Sequence, residues 1–372
     1  MAGLDIAFYG SSLVSAYWNG AATYYRGVIR ELAARGHRVT FYEPDAYDRQ
    51  KHRDIPDPDW ARVVVYEATE AGVARAVEQG KGADVLVKAS GVGVFDEWLE
   101  AAIPSARGAG SVAIFWDVDA PATLDRMRKD PSDAFRPMVP AYDAVFTYGG
   151  GQPVVDAYES FGARSCVPVY NAVDPTTHHP VPPQDRFRGH LGFLGNRLPD
   201  REARVESFFL KAAELLGPGK TCLLGGSGWQ DKPMPGNVSY LGHVYTADHN
   251  AFNCTPLAVL NITRDSMAAN GFSPPTRVFE AAGAAACLIT DAWVGIEQFL
   301  EPDTEVLVAR DGAEVAAHVE ALTPERGRAI GQAAMRRVLA EHTYAHRAAQ
   351  VEELLLGKSG LLDGVRLRGT AA

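Results

Sequence analysis

A chain of 372 residues exceeds what one hydrophobic core usually organises, so about two domains are expected. With 47% hydrophobic and 22% charged residues, the composition is that of a globular protein and excludes a disordered or fibrous chain. Its 36 basic against 46 acidic residues give a net charge of -10, which disfavours nucleic acid and anionic membrane surfaces as partners.

The N-terminus carries no basic leader before its first strand-like run, so no signal peptide is expected, and no apolar stretch approaches the roughly 18 residues that cross a bilayer. Cys166, Cys222, Cys254 and Cys287 stand far apart with no Cys-x-x-Cys spacing, which predicts reduced thiols in a cytoplasmic protein.

In the first half, β-branched and aromatic runs predict strands over 5–10, 38–43, 62–67, 84–89, 111–116, 144–148 and 165–170, with helical-period segments in many of the gaps. The second half repeats the pattern with strands over 190–195, 220–225, 238–242, 257–262, 286–291 and 305–309. This alternation implies an α/β protein with two parallel, doubly wound sheets. Residues 171–189 contain four prolines and few core-type side chains, and are the expected interdomain linker. A long amphipathic helix is expected over 324–355, with a frayed tail from Gly360.

Ligands of doubly wound sheets bind beyond the carboxyl ends of the strands, so the loops there hold the candidate residues. Strand 1 ends in Gly10, Ser11 and Ser12, and Asn19 is the expected N-cap of a helix that Gly36 closes. Together with Trp18 these residues are candidates for an acceptor-side surface. Tyr17, Trp18, Tyr24 and Tyr25 suit either a sugar face or the core, and helical spacing places two of them in the core. Asp117 and Asp119 end a strand as Asp-x-Asp. That pair suits a divalent cation, a general base that orients an acceptor hydroxyl, or simple solvation.

In the second half, Gly195-Asn196-Arg197 lets backbone approach a ligand closely, and Arg197 and Arg201 carry charge suited to a diphosphate or, equally, to a solvated helix start. Gly225 opens a second flexible turn at a strand end. Over 261–291, Ser273 is the expected cap and Pro274 the expected first residue of a helix, with Glu280 about two turns inside. First-turn amides bind an anion, and a carboxylate further along accepts both hydroxyls of a ribose, so the segment points to a nucleotide.

The stretch 272–291, the Gly195-Asn196-Arg197 loop with Arg201, and the phrase over 171–180 resemble the GT-B glycosyltransferases, particularly the family 4-like and CgeB-like (spore-maturation type) branch. The resemblance covers most of the chain, and most strongly 170–345. It implies two Rossmann-like domains facing across a cleft: an acceptor-side domain over 1–175, joined by a returning helix at about 340–358, and a donor domain over 186–340. It further implies that Glu280 holds the donor ribose, that Thr276 and Arg277 lie near the diphosphate, and that Arg201 with the 195–197 loop neutralises the leaving group. A sugar would then pass from a nucleotide-sugar co-substrate to a small-molecule or glycan acceptor, with no metal and no further cofactor.

The retaining members carry Glu-x7-Glu, whereas Phe272 stands eight residues before Glu280 and Asn270 is the nearest polar residue. An inverting reaction needs a base on the N-terminal side, for which Asp117, Asp119 and His37 are the candidates. His178 and His179 are expected to be exposed in the linker. Other readings are a nucleotide-sugar epimerase of the same fold, a metal-dependent transferase using Asp117 and Asp119, and an inert nucleotide- or sugar-binding protein. A nicotinamide dehydrogenase ranks last, because neither sheet opens with a Gly-x-Gly-x-x-Gly turn.

Overall fold

The computed structural model describes residues 3–17, 19–199, 201–357 and 360–362, which fall into two compact units. The first runs through Tyr170 and resumes at Tyr344; the second spans Asn171–Thr343. The first contains β1 (Asp5–Tyr9), β2 (Arg38–Asp45), β3 (Arg62–Glu67), β4 (Val85–Ala89), β5 (Val112–Asp117), β6 (Ala144–Thr147) and β7 (Cys166–Pro168). They form one sheet in the order β3-β2-β1-β4-β5-β6-β7, and every pairing is parallel. The second contains β8 (Leu191–Leu194), β9 (Cys222–Gly225), β10 (Val238–Gly242), β11 (Ala258–Asn261), β12 (Leu288–Asp291) and β13 (Leu307–Ala309). Its order is β10-β9-β8-β11-β12-β13, again wholly parallel. Each sheet therefore reverses its winding next to its first strand, the arrangement of a Rossmann fold.

The helices of the first unit are α1 (Ala22–Ala34), α2 (Glu70–Gly80), α3 (Asp96–Ala106), α4 (Ala120–Lys129) and α5 (Gly151–Ser160). In the second, α6 (Glu202–Val205) continues through a π turn, Glu206–Leu210, into α7 (Lys211–Leu216). Then follow α8 (His249–Cys254), α9 (Asp265–Asn270), α10 (Thr276–Gly283), α11 (Gly312–Ala321) and α12 (Pro324–Glu341), while α13 (Tyr344–Leu356) returns to the first unit.

Alternation along β1 shows why both sheet faces are covered. Ala7 and Tyr9 join a core with Leu86, Phe115, Leu99 and Ile103, whereas Ile6 and Phe8 face Ile29 and Leu32 of α1 and Val351 and Leu355 of α13. In the second unit, Phe193, Leu224, Leu260 and Ile289 pack with Phe209, Ala316 and Val319. Each such side chain, once fully buried, contributes about 1.5–3 kcal/mol.

Helix α1 buries Tyr24, Tyr25, Val28, Ile29 and Leu32, so both tyrosines belong to the core. The Tyr24 hydroxyl donates to the Val169 carbonyl at 2.6 Å and accepts from the Trp116 indole at 3.0 Å. Gly36, at φ +93°, ends the helix, with the Gly36 and His37 amides donating to Ala33 and Leu32.

Three expectations are corrected. Helix α1 starts at Ala22 after Ala21, so Asn19 does not cap it. The helix expected over 324–355 breaks at His342–Thr343, which separates α12 from α13. The expected linker over 171–189 is part of the second unit: Asn171, Ala172 and Val173 are buried, and Val173 bridges to Thr343. The four cysteines are free thiols, and among the described residues no helix is long and apolar enough to cross a membrane.

Candidate functional site

In the second unit the winding reverses between β8 and β11, so the carboxyl ends of these strands mark the position where a doubly wound sheet takes its ligand. The loop after β8 is interlocked with the loop after β9. The Gly195 amide donates to the Gly225 carbonyl at 2.9 Å, the Arg197 amide to the Ser227 carbonyl at 3.0 Å, and the Ser227 amide to the Asn196 side chain at 2.9 Å. The Trp229 indole donates to the Gly195 carbonyl at 2.8 Å. Gly226 adopts φ +124°, and a Cβ there would stand 2.2 Å from the Gly195 carbonyl oxygen, so only glycine fits. At Gly225 a Cβ would stand 2.8 Å from the Leu194 and Val244 side chains.

Arg197 is committed to this clamp. Its guanidinium donates to Glu202 at 2.7 Å and to Asp231 at 2.9 Å. Glu202 is held down to about 2 by Arg197 first and Lys232 second. The expectation that Arg197 faces the diphosphate is therefore replaced by a role in fixing the loop. Arg201 donates to the Asn196 carbonyl at 2.8 Å, and its guanidinium lies 6.0 Å from the Phe193 ring centroid.

Helix α10 follows an irregular turn. Gly271 and Phe272 both adopt positive φ, at +67° and +46°, and the Phe272 amide donates to the Val294 carbonyl at 2.6 Å. Left-handed backbone at a phenylalanine costs on the order of 1 kcal/mol, which the Val294 bond helps offset. Two prolines then keep the chain extended, because a residue before proline disfavours helix. The helix consequently begins at Thr276 after Pro275, with no side-chain cap, and Ser273 donates to the Gly271 carbonyl at 2.9 Å instead of capping it. The expected start at Ser273-Pro274 is thus two residues early.

The first turn of α10 carries Thr276 and Arg277, and Glu280 lies one turn on. Arg277 is half-buried and makes no hydrogen bond or ion pair within 4 Å among the described residues. Burial pushes its pKa down, and Glu280 opposes the shift. His178 Nε2 stands 4.0 Å from Glu280 Oε1. His249, at the start of α8, has its pKa lowered by burial first and by Arg277 next, while Glu280 raises it. A cation, a carboxylate and two imidazoles thus share one locality beside an uncapped helix start. The sequence reading passed over His249 and expected His178 to be exposed in the linker, whereas its side chain is 11% exposed.

A second feature passed over was Asp291, at the end of β12. It is fully buried, accepts from the Thr263 amide at 3.0 Å and hydroxyl at 2.9 Å, and pairs with Arg204 at 2.6 Å. This carboxylate fixes the chain leaving β11. The signal was present, because Asp117 ends a buried strand in the same way.

Asp117 occupies the equivalent position in the first sheet, at the end of β5. It is fully buried, accepts from the Tyr158 hydroxyl, from the Asp119 amide at 3.0 Å and from Thr123 at 3.2 Å. Those bonds make it a structural carboxylate, in contrast to the catalytic or metal-binding group expected. Asp119 is exposed just ahead of α4. His37 lies at the amino end of β2, away from the carboxyl ends, with Nδ1 accepting from the Leu4 amide at 3.1 Å and Nε2 3.3 Å from Glu352. That position removes it from the candidate base set.

After β1, Ser11 donates to Asn19 at 2.8 Å, and Asn19 donates to the Ser12 and Ser15 carbonyls at 2.8 and 3.0 Å. Ser12 and the Leu13 amide bind the buried Glu43, and Arg49 donates to the Ser11 carbonyl at 3.2 Å. Gly10 lies against Phe41, where a Cβ would stand 2.5 Å from the ring. Trp18 lies outside the described residues. Among the described residues no group of three or more His, Cys, Asp or Glu side chains is arranged to hold a metal ion.

Residues 201–353 match the family model described as glycosyl transferase-like. Sucrose-phosphate synthase from Thermosynechococcus elongatus superposes with a TM-score of 0.68 at 12% identity, covering 99% of this chain and 100% of that one. Anabaena HepE in complex with UDP and glucose gives 0.64 at 14% identity, covering 95% and 99%. The fold is GT-B. A third GT-B structure, α,α-trehalose 6-phosphate synthase from Burkholderia multivorans, gives 0.61 at 12% identity over 99% and 100% of the two chains. No curated protein matches the sequence. The β8–β12 region that builds the candidate site of this GT-B chain lies largely within the family match.

Proposed function

We propose that this chain is a glycosyltransferase that binds a nucleotide-diphosphate sugar in its C-terminal unit and transfers the sugar to an acceptor held by its N-terminal unit. The observation that carries the reading is the presence of Arg277 and Glu280 one turn apart on an uncapped α10. The helix start offers amides and about half a positive charge to an anion, and Arg277 adds a full one. Glu280 then lies within one turn as an acceptor for the ribose hydroxyls. UDP is the first nucleotide to test, since the HepE structures contain UDP and UDP-glucose.

In this mechanism the leaving diphosphate gains charge as the glycosidic bond breaks, and the fixed positive groups stabilise it without reorganising. Arg277 and the first-turn amides, including that of Thr276, hold the diphosphate, with Arg201 and the Gly195–Asn196 backbone on its other side. The chain's own residues supply the charge, so no metal enters. On the acceptor side, Ser11, Ser12 and Asn19 shape the loop after β1, and Asp119 is the carboxylate we assign to take a proton from the acceptor hydroxyl. The CgeB-like branch rests on the stretch 272–291, the Gly195-Asn196-Arg197 loop with Arg201, and the phrase over 171–180. The free thiols support a reducing, cytoplasmic setting.

Calorimetric titration with UDP, GDP and dTDP tests the reading. One of them binds, and Glu280→Ala weakens it about ten- to hundredfold, the loss of a charge-assisted pair of hydrogen bonds. Turnover persists in EDTA and requires an acceptor; product formed from donor alone would indicate an epimerase instead. Failure of all three nucleotides to bind refutes the proposal.

A further inference from the structure

The segment after Tyr170 is built to present one side chain. Asp174 organises its turn, accepting from the Thr176 amide at 2.9 Å and hydroxyl at 2.7 Å, while its carbonyl accepts from the Thr177 and His178 amides at 3.1 and 2.9 Å. Asn250 of the α8 helix donates to the Thr177 carbonyl at 2.9 Å. Gly283 lets the segment lie directly on α10, because a Cβ there would stand 2.6 Å from Val173 and 3.0 Å from the His178 carbonyl oxygen. The turn is therefore clamped from α8 and seated on α10, one turn beyond Glu280.

On this seat the His178 ring is nearly covered, and its Nε2 faces Glu280 Oε1 at 4.0 Å. Its other nitrogen lies 2.9 Å from the Thr177 hydroxyl. The same hydroxyl also stands 3.2 Å from the Asp174 carbonyl; when it donates to Nδ1, the nearer acceptor, the ring proton sits on Nε2, directed at the carboxylate. Glu280 itself is 19% exposed in its side chain, its carboxylate accepts no hydrogen bond from a described residue, and it is otherwise faced by Arg277 and His249. A glutamate with three rotatable bonds needs such a neighbour to hold one orientation, and two-point recognition of vicinal hydroxyls depends on that orientation.

We infer that His178 is a positioning residue that holds Glu280 for two-point binding of a ribose, and so makes the site select ribonucleotides over 2′-deoxyribonucleotides. This rests on the donor-site reading above, and extends it to a residue from the segment between the two sheets and to a defined class of sugar. Arg277 holds diphosphate in either case, so loss of His178 affects the ribose term and spares the phosphate term.

The test is a comparison of UDP and GDP with their 2′-deoxy counterparts, titrated into wild type, His178→Leu and His178→Gln, with thermal unfolding recorded for each. Wild type prefers the ribonucleotide at least about tenfold, the effect of one hydrogen bond to a charged group. His178→Leu reduces that preference to about threefold or less, and His178→Gln, which keeps a donor at the same reach, retains most of it. An unchanged preference in His178→Leu, or an equal loss of affinity for both sugars, overturns the inference while leaving the donor site standing. Binding of neither UDP nor GDP by wild type overturns the inference, and the donor-site reading falls with it only when dTDP also fails to bind.

Discussion

Arg277 is the residue on which the electrostatics of the proposed donor site turn. Two other guanidinium groups of this unit are engaged, Arg197 by Glu202 and Asp231 and Arg204 by Asp291 and Asp265. Arg277 stands apart from such pairs, half-buried where a charge acts more strongly than in water. Arg277→Ala should weaken nucleoside diphosphate binding about ten- to hundredfold and leave the weak binding of the free nucleoside unchanged, which parallel titrations of UDP and uridine measure. Equal losses for both ligands would place Arg277 elsewhere than at the phosphates. Glu280 was legible as a candidate because a helix start followed by a carboxylate is a local pattern, whereas Arg277 entered only through the family resemblance. The sequence reading passed over His249 and expected His178 to be exposed because their approach to Glu280 depends on how distant segments seat on α10. Asn19 and Ser273 failed as caps for a related reason. A capping side chain has value only where the helix begins, and tertiary packing and two successive prolines moved both starts downstream.

The elements that carry these residues are fixed by carboxylates at strand ends. Asp117 on β5 and Asp291 on β12 stand in equivalent places, the second strand beyond each reversal, and each ties down the backbone beside it. Asp291→Ala leaves Arg204 without its buried partner and the Thr263 amide unbonded, so it should cost about 3–5 kcal/mol in urea unfolding, a large share of a typical domain's stability. The loop after β8 has a pH dependence of its own. Glu202 has its pKa lowered from 4.5 to about 2 by Arg197 and Lys232, so its carboxylate is favoured in the folded state. Its contribution is full above pH 4.5 and is lost as pH falls through the folded value near 2. Amides of residues 195–197 should lose hydrogen-exchange protection across that window, and Glu202→Gln should show the reduced protection already at neutral pH. A window unchanged by that substitution would contradict the clamp.

At the scale of the whole molecule, the thirteen strand segments expected from hydrophobic runs all occur among the described residues, with ends displaced by at most two residues. Parallel sheets buried on both faces write themselves into sequence as apolar runs, which is why this level was legible. Strand order was legible only as a class. The placement of 171–189 in the second unit was not legible, because four prolines signal extended chain without saying what it packs on. Two Rossmann-type sheets in one chain admit a nucleotide at either reversal, and we assign it to the second, where Arg277, Glu280 and the uncapped α10 lie. A crystal structure with bound UDP, or with whichever nucleoside diphosphate binds most tightly, tests that assignment directly. The diphosphate should contact Arg277 and the first-turn amides of α10, with both ribose hydroxyls on Glu280. A nucleotide bound at the end of β1, or one at α10 whose ribose turns away from Glu280, would contradict it.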